Sequence, residues 1–392
     1  MFRRNYKIGI FWEQFEWGGV ESHIKYLLDD WKNTNDKFII YHNEKNKGAI
    51  RLKKEIKKKI VFKKYKTFFN TNKNYFNFIL IPLKFFFSLK KYYNFLKKER
   101  LDVIICENGG YPAAYGVLVA IVSSFKIKIP VRVLIIHHEA VGAKLYTRIF
   151  RNYLDKIVSK SATDIIAVSN ATMYSIKRNT NLFYNKFLKK KIIYNAVPRF
   201  NKLVNKNIFK KKKNEKLIGI LGRIEPYKGH EDLIIAFSKL PTNIKKNYKI
   251  LIIGNGNKEN IDNLKFTIKK LGLKKNIVFK GFLKEKIENI IKSLDLVVMP
   301  TRDFEGFGYT MAESMSIGVP VLASKVGAIP EIMTDNEGNF FKPKNINDLS
   351  KKLIDFHYNR SKWKKKSIKA KIEIHKKFNS KKIIKEFRSL FI

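Results

Sequence analysis

The sequence predicts an α/β protein of two successive domains, each with a parallel sheet and crossover helices. Three observations carry this reading. Short apolar runs of strand length alternate with longer helical patterns over most of the chain. The alternation breaks at "FNKLVNKNIFKKKKNEK", where lysines replace the apolar pattern, and then restarts. At 392 residues, the chain is also longer than one hydrophobic core usually supports.

The elements follow in order. "YKIGIFW" (6–12) reads as a buried strand that runs into Gly18-Gly19, a tight turn. Val20, Ile24, Leu27 and Leu28 then recur at helical spacing. "FIIYHNE", "LDVIICEN", "VRVLIIHHE" and "TDIIAVSN" are further strands, with helical patterns between them. Beyond the lysine run, "LIGILGR", "YKILIIGNG", "NIVFKGF", "LDLVVMPT" and "GVPVLAS" repeat the theme. The expected boundaries are 1–200 for the first domain, 201–215 for a linker and 216–374 for the second domain. A helix over 375–392 is able to pack back on the first domain.

Residues 51–100 stand apart. In "FNFILIPLKFFFSLKKYYNFLKKER", Phe85, Phe86, Leu89, Tyr92, Tyr93 and Leu96 share a helical face, and Lys84, Lys91 and Lys98 lie at heptad spacing on another. Residues 83–98 therefore suit contact with an anionic membrane surface. They equally suit a crossover helix that packs its aromatics on the sheet.

Composition narrows the function classes. Hydrophobic content of 45% with 29% charged residues is that of a globular chain, not a disordered one. The single cysteine, Cys106, leaves no internal disulfide and no cysteine metal cluster, which points to a reducing, cytoplasmic setting. The N-terminal apolar run is too short and too interrupted for a secretory signal, and the longest apolar runs fall short of a membrane span. The formal charge of +48 calls for a polyanion. Lysine supplies most of that excess, in a chain equally rich in Ile, Asn, Phe and Tyr, so drift towards A/T-rich codons accounts for part of it. Of the polyanions, the inner face of a membrane is favoured, and nucleic acid is not expected.

The segment "FEGFGYTMAESMSIGVPVLAS" (304–324) keeps two carboxylates, Glu305 and Glu313, in an apolar, glycine-rich setting. It follows a strand, where open α/β sheets bind ligands. Gly306 and Gly308 let the backbone approach a ligand, and a helix over 309–317 turns its positive end towards an anion such as a diphosphate. A carboxylate suits vicinal hydroxyls, although lysine pairing and helix capping would also explain the two acids. "LGRIEPYKGHEDLIIAF" places Arg223 and Lys228 on a loop beyond another strand, where two cations can converge on one diphosphate.

G-R-x4-K-G, then G-x-G, then E-G-F-G-x4-E followed by G-x-P-V resemble the family 4 glycosyltransferases of the GT-B fold. "GGVES", the histidine after an apolar strand, "AVSNAT" and "IIYNAV" fit the same pattern, so the resemblance runs from about residue 6 to 335. It implies two Rossmann-like domains whose parallel sheets face a central cleft. It also implies a retaining, metal-independent transfer from a UDP-, GDP- or ADP-sugar, a substrate and not a cofactor, to a glycan or lipid-linked acceptor. On this resemblance Arg223 and Lys228 neutralise the diphosphate, and Glu313 holds the ribose. Glu305 and the amides around Phe307 and Gly308 hold the sugar. Gly281 and Phe282 lie near the base, Gly18 and Gly19 approach the phosphates, and His138, or its neighbour His137, reaches the donor sugar and acceptor. No D-x-D triplet is present to hold a divalent ion, in keeping with an absent metal. Trp12, Glu13 and Glu16 acquire no role.

Other nucleotide patterns fail. "GNGNKE" has Glu259 where a dinucleotide fingerprint needs glycine, and no G-x4-G-K-S/T occurs. A sugar-nucleotide epimerase on the same fold and a non-catalytic polyanion binder stay open at this level.

Overall fold

The computed structural model describes residues 5–13, 18–31, 35–56, 60–69, 80–200 and 208–392. The chain forms two compact units, one of Met1–Ala196 with Ser380–Ile392, the other Val197–Asn379.

In the first unit, seven strands form one sheet: β1 (Lys7–Trp12), β2 (Lys37–Asn43), β3 (Val61–Tyr65), β4 (Val103–Asn108), β5 (Val131–Ile136), β6 (Asp164–Ala167) and β7 (Lys189–Ile192). Their order is β3-β2-β1-β4-β5-β6-β7, and every neighbouring pair is parallel. β4 is buried along its whole length, as a strand covered by helices on both faces must be. The second unit repeats the plan with β8 (Lys216–Leu221), β9 (Tyr248–Ile253), β10 (Ile277–Gly281), β11 (Leu296–Met299), β12 (Val321–Ser324) and β13 (Asn339–Phe341). The order is β10-β9-β8-β11-β12-β13, again parallel. Strand order thus reverses beside β1 and β4 in one unit and beside β8 and β11 in the other. Ligands of doubly wound sheets bind outside the carboxyl ends of such strand pairs.

Three strands absent from the sequence reading, β3 ("VFKKY"), β7 ("KKKI") and β13 ("NFF"), all lie at sheet edges. β3 and β7 are partly exposed and carry lysines, which discourage pairing with another chain, and β13, though its two phenylalanines are buried, is only three residues long, so no apolar run marks any of them. The helix Ile81–Lys97 turns Phe85, Tyr92 and Leu96 into the core beside Val117, Leu118 and Ile121. Most of the aromatic face assigned to a membrane is therefore a packing face, and Phe86, grouped with it, points outward at 46% exposure. Among the described residues no helix is long and apolar enough to cross a membrane.

Of the stretch read as a linker, 201–207 lie outside the described residues. Phe209 packs against Leu217, Leu251 and Val297 of the second unit. The C-terminal helix Ser380–Arg388 belongs to the first unit. There Phe391 meets the ring of Tyr6 edge-on at 5.3 Å and stacks on Trp31 at 6.2 Å, and Arg388 Nε lies 3.5 Å from Asp36.

Candidate functional site

β8 ends at Leu221 and passes into a loop that closes with the 3-10 turn Pro226–Lys228. Its neighbour β11 ends at Met299 and leads into residues 300–308. Lys228 Nζ donates to Glu305 Oε2 at 2.7 Å, and Thr301 Oγ1 donates to the same oxygen at 3.5 Å. Two glycines permit this approach. Gly229 has φ +71°, and a Cβ on it would lie 1.9 Å from the Pro300 carbonyl oxygen, so the turn seats directly on the end of β11. Gly327 has φ +51°, and its Cβ would lie 2.3 Å from the Glu305 carbonyl oxygen, which accepts the Ala328 N–H at 2.8 Å.

The electrostatics of the pair follow from its partial burial. Burial disfavours the Lys228 charge, but the Glu305 carboxylate, Tyr227 and the hydrogen bond outweigh it, holding Lys228 above its usual range. Arg223 is arranged differently. Its Nη1 lies 2.8 Å from Glu225, its Nη2 donates to Tyr227 Oη at 3.4 Å, and half of the side chain is exposed. The two cations are thus held by different carboxylates. His230, next to Gly229, is buried, and burial followed by the Lys228 charge pushes its pKa down to about 4. It is a neutral imidazole behind the lysine.

The helix Tyr309–Ile317 starts at Gly308, whose φ of +84° suits glycine. Its first hydrogen bond runs from the Ala312 N–H to the Gly308 carbonyl, so the preceding amides have no intrahelical acceptor. Phe307 turns its ring inward, edge-on to Tyr309 at 5.1 Å and to Phe378 at 5.5 Å, and offers a ligand only its backbone. Gly306 and Glu313 are buried. At the end of β10, Gly281 adopts φ +61° and the Phe282 N–H donates to Asn255 Oδ1 at 3.1 Å, with the Phe282 ring partly exposed.

In the first unit, Gly18 precedes the helix Gly19–Asp30, and its N–H donates to Glu21 Oε2 at 2.7 Å. This contact, the half of a capping box in which the N3 carboxylate reaches back to the N-cap amide, comes from "GGVE" and fixes the turn. His137 and His138 follow β5. His137 Nε2 lies 2.6 Å from Glu107 Oε2, whose other oxygen is 3.7 Å from His23 Nε2. Burial pushes the Glu107 carboxyl up and both imidazoles down, so the hydrogen-bonded His137–Glu107 pair and the neighbouring His23 form a cluster low in charge. They are also the group whose ligand atoms all lie within 4.8 Å, among the described residues, and so could hold a metal ion. His137 is committed to Glu107, while the His138 Cβ lies 3.7 Å from where a Gly110 Cβ would stand.

Glu13 does have a structural task. Its carboxylate accepts the Gly116 N–H at 2.6 Å, at the start of the helix Tyr115–Lys126, and the Thr67 hydroxyl as well. Burial nevertheless pushes its pKa up to about 7. Glu16 lies outside the described residues. The sequence reading missed Glu21, Glu107, His23, His230 and Gly327. Only Glu21 had a local signal, its position three residues after Gly18 ahead of an apolar run.

Comparison with known proteins completes this picture. Residues 201–373 match the family model for glycosyl transferases group 1. The Methanocaldococcus jannaschii protein MJ1607, named as an uncharacterized glycosyltransferase, is 34% identical over 139 residues. That match covers 35% of this chain and only 34% of the relative's length. The capsular polysaccharide biosynthesis glycosyltransferase CapM of Staphylococcus aureus is 27% identical over 325 residues, covering 78% of this chain and 80% of CapM. Among solved structures, Anabaena Alr3699/HepE in complex with UDP and glucose superposes with a TM-score of 0.74 at 18% identity, over 98% of this chain and 99% of the other. Such a likeness speaks to the fold. Residues 201–373 thus carry the pattern of the group 1 glycosyl transferases, and the chain as a whole has the GT-B fold.

Proposed function

We propose that the protein transfers a sugar, with retention of configuration and without a metal, from a nucleotide-sugar to a glycan or lipid-linked glycan acceptor in surface polysaccharide or glycolipid synthesis. The observation that carries the reading is the Lys228–Glu305 pair at the strand-order reversal of the second unit, in the segment whose glycines lead into the helix Tyr309–Ile317. The lysine has three donors, so one can stay on Glu305 while others meet a diphosphate. With Arg223 and the helix amides it would stabilise charge developing on the leaving group. Glu313 would hold the donor ribose, and Glu305 with the Phe307 and Gly308 amides the sugar. The Phe282 ring would face the base. For Gly18, Gly19 and His138, the support is the family pattern. A UDP-sugar is the first donor to test, because the similar HepE structure holds UDP and glucose, and CapM lends support to a capsular or other surface polysaccharide as product.

The test is thermal stabilisation by UDP, GDP and ADP with EDTA present. A nucleotide at about 100 times its Kd adds about 2.7 kcal/mol. One nucleotide should stabilise the wild type, and Glu313→Ala should weaken its binding about 10- to 100-fold, the scale of hydrogen bonds to a charged group. Equal stabilisation of wild type and variant would remove Glu313 from the site. Stabilisation that vanishes with EDTA would overturn the metal-free reading.

A further inference from the structure

Several of the large apolar side chains that the first unit leaves in water lie on two adjoining helices. On the helix Ile81–Lys97, Leu83, Phe86 and Phe87 face outward, Phe87 with 74% exposure. Phe86 meets Tyr153 of the helix Arg148–Ser161 with ring centroids 5.8 Å apart, and Phe85 meets Phe150 at 6.1 Å. That second helix and the turn before it carry Ile149 at 90% exposure and Leu145 at 87%, with Tyr146 beside them. Clustered apolar residues this exposed mark an interaction site. Around them the charge has one sign. Residues 81–98 hold five lysines and no acid, and residues 141–160 hold five Lys and Arg against Asp155 alone. Asp155 is buried and already paired with Arg151 at 2.9 Å.

We propose that this composite face, led by Phe87, Leu145 and Ile149, inserts into the anionic leaflet of a phospholipid bilayer. Apolar tips within a basic rim are how interfacial contacts bind: the tips enter the acyl boundary and the cations meet lipid phosphates. A second copy of the chain fits poorly, because it would bring two basic rims together. The site thus differs from the buried aromatic face of the same helix, and half of it lies on the second helix and the turn before it. Leu145 is seven residues beyond His138, within about 25 Å along the chain. Keeping a lipid-linked acceptor near that histidine rests on the proposed transfer reaction; binding to the bilayer does not.

The test uses the full chain and vesicles of phosphatidylcholine, with or without about one third phosphatidylglycerol. Binding to the anionic vesicles is expected, and Leu145→Ser with Ile149→Ser should lower it at least about tenfold. Because Cys106 is buried, Ile149→Cys can be labelled alone with an environment-sensitive dye. Its emission should shift to the blue on anionic vesicles, whereas Phe266→Cys on the second unit should not respond. Equal response at both positions, or vesicle binding unchanged in the double variant, overturns the proposal. A shift that needs only higher protein concentration would assign the face to self-association and overturn it too. Hydrolysis of soluble donor, measured in parallel, should be unchanged in the double variant. Binding without any donor turnover would leave this surface standing and count against the transferase reading.

Discussion

Lys228 and Glu305 stand 77 positions apart in the chain, and their side chains meet at 2.7 Å. The contact joins the loop after β8 to the loop after β11, so it reports whether the two strand ends that frame the site are correctly assembled.

Removing one partner separates assembly from chemistry. Lys228→Ala leaves the Glu305 carboxylate, itself mostly buried, without its cation. Breaking a fully buried pair costs about 3–5 kcal/mol, but Lys228 keeps some contact with water, so a loss of about 1–3 kcal/mol is expected. Turnover of donor should fall at least about 100-fold, the scale of losing one preorganised charge-stabilising group. Adding Glu305→Gln should restore most of the stability and none of the turnover. Denaturant titration and donor-turnover assays on the wild type and the two variants check this, and full turnover in Lys228→Ala would remove the lysine from the chemistry.

Glycine substitutions distinguish space needed by the protein from space needed by a ligand. Gly327→Ala puts a methyl 2.3 Å from the Glu305 carbonyl oxygen at φ +51°, so both stability and turnover should drop, stability by about 2 kcal/mol or more. Gly18→Ala meets only Glu21 Oε2, at 3.5 Å, and φ is −159°, an extended conformation open to any residue. Its stability should stay within about 0.5 kcal/mol of wild type. If phosphates approach that backbone, turnover still falls, by about tenfold or more. A stable and fully active Gly18→Ala would take Gly18 out of the donor site.

These two cases also show what the sequence could reveal. Inner strands such as β1 and β4 are continuous apolar runs, so the doubly wound core was legible. The edges β3 and β7 were not, because half-solvated strands tolerate lysine and carry little apolar signal, and β13 was not, because it is only three residues long. Within the site, Arg223, Lys228, Glu305 and Glu313 were legible through local spacing around glycines. The direct pairing of Lys228 with Glu305 was not, because it depends on which strands become neighbours. The same holds for Glu13, whose carboxylate caps a helix 103 residues away, and for Glu107 and His137, which meet from adjacent strands.

Glu13 yields a pH signature of its own. Burial lifts its pKa from the ordinary carboxylate value to about 7, despite the Thr67 and helix amide hydrogen bonds that act the other way. A folded pKa above the unfolded one means that the folded state holds the extra proton between about pH 4.5 and 7. The stabilisation from Glu13 is therefore full below about pH 4.5 and is lost as pH rises through 7. His23 and His230, both lowered to about 4, contribute with the opposite slope below about pH 6.5. The wild-type profile alone will not isolate Glu13, but the difference between wild type and Glu13→Gln will. The amide keeps an acceptor for the Gly116 N–H and has no charge to bury. The variant should match the wild type near pH 5 and exceed its stability by roughly 1–3 kcal/mol near pH 8. Denaturant midpoints across that range decide the matter. A variant less stable than wild type at pH 8 would mean that the charge at the helix start outweighs its desolvation.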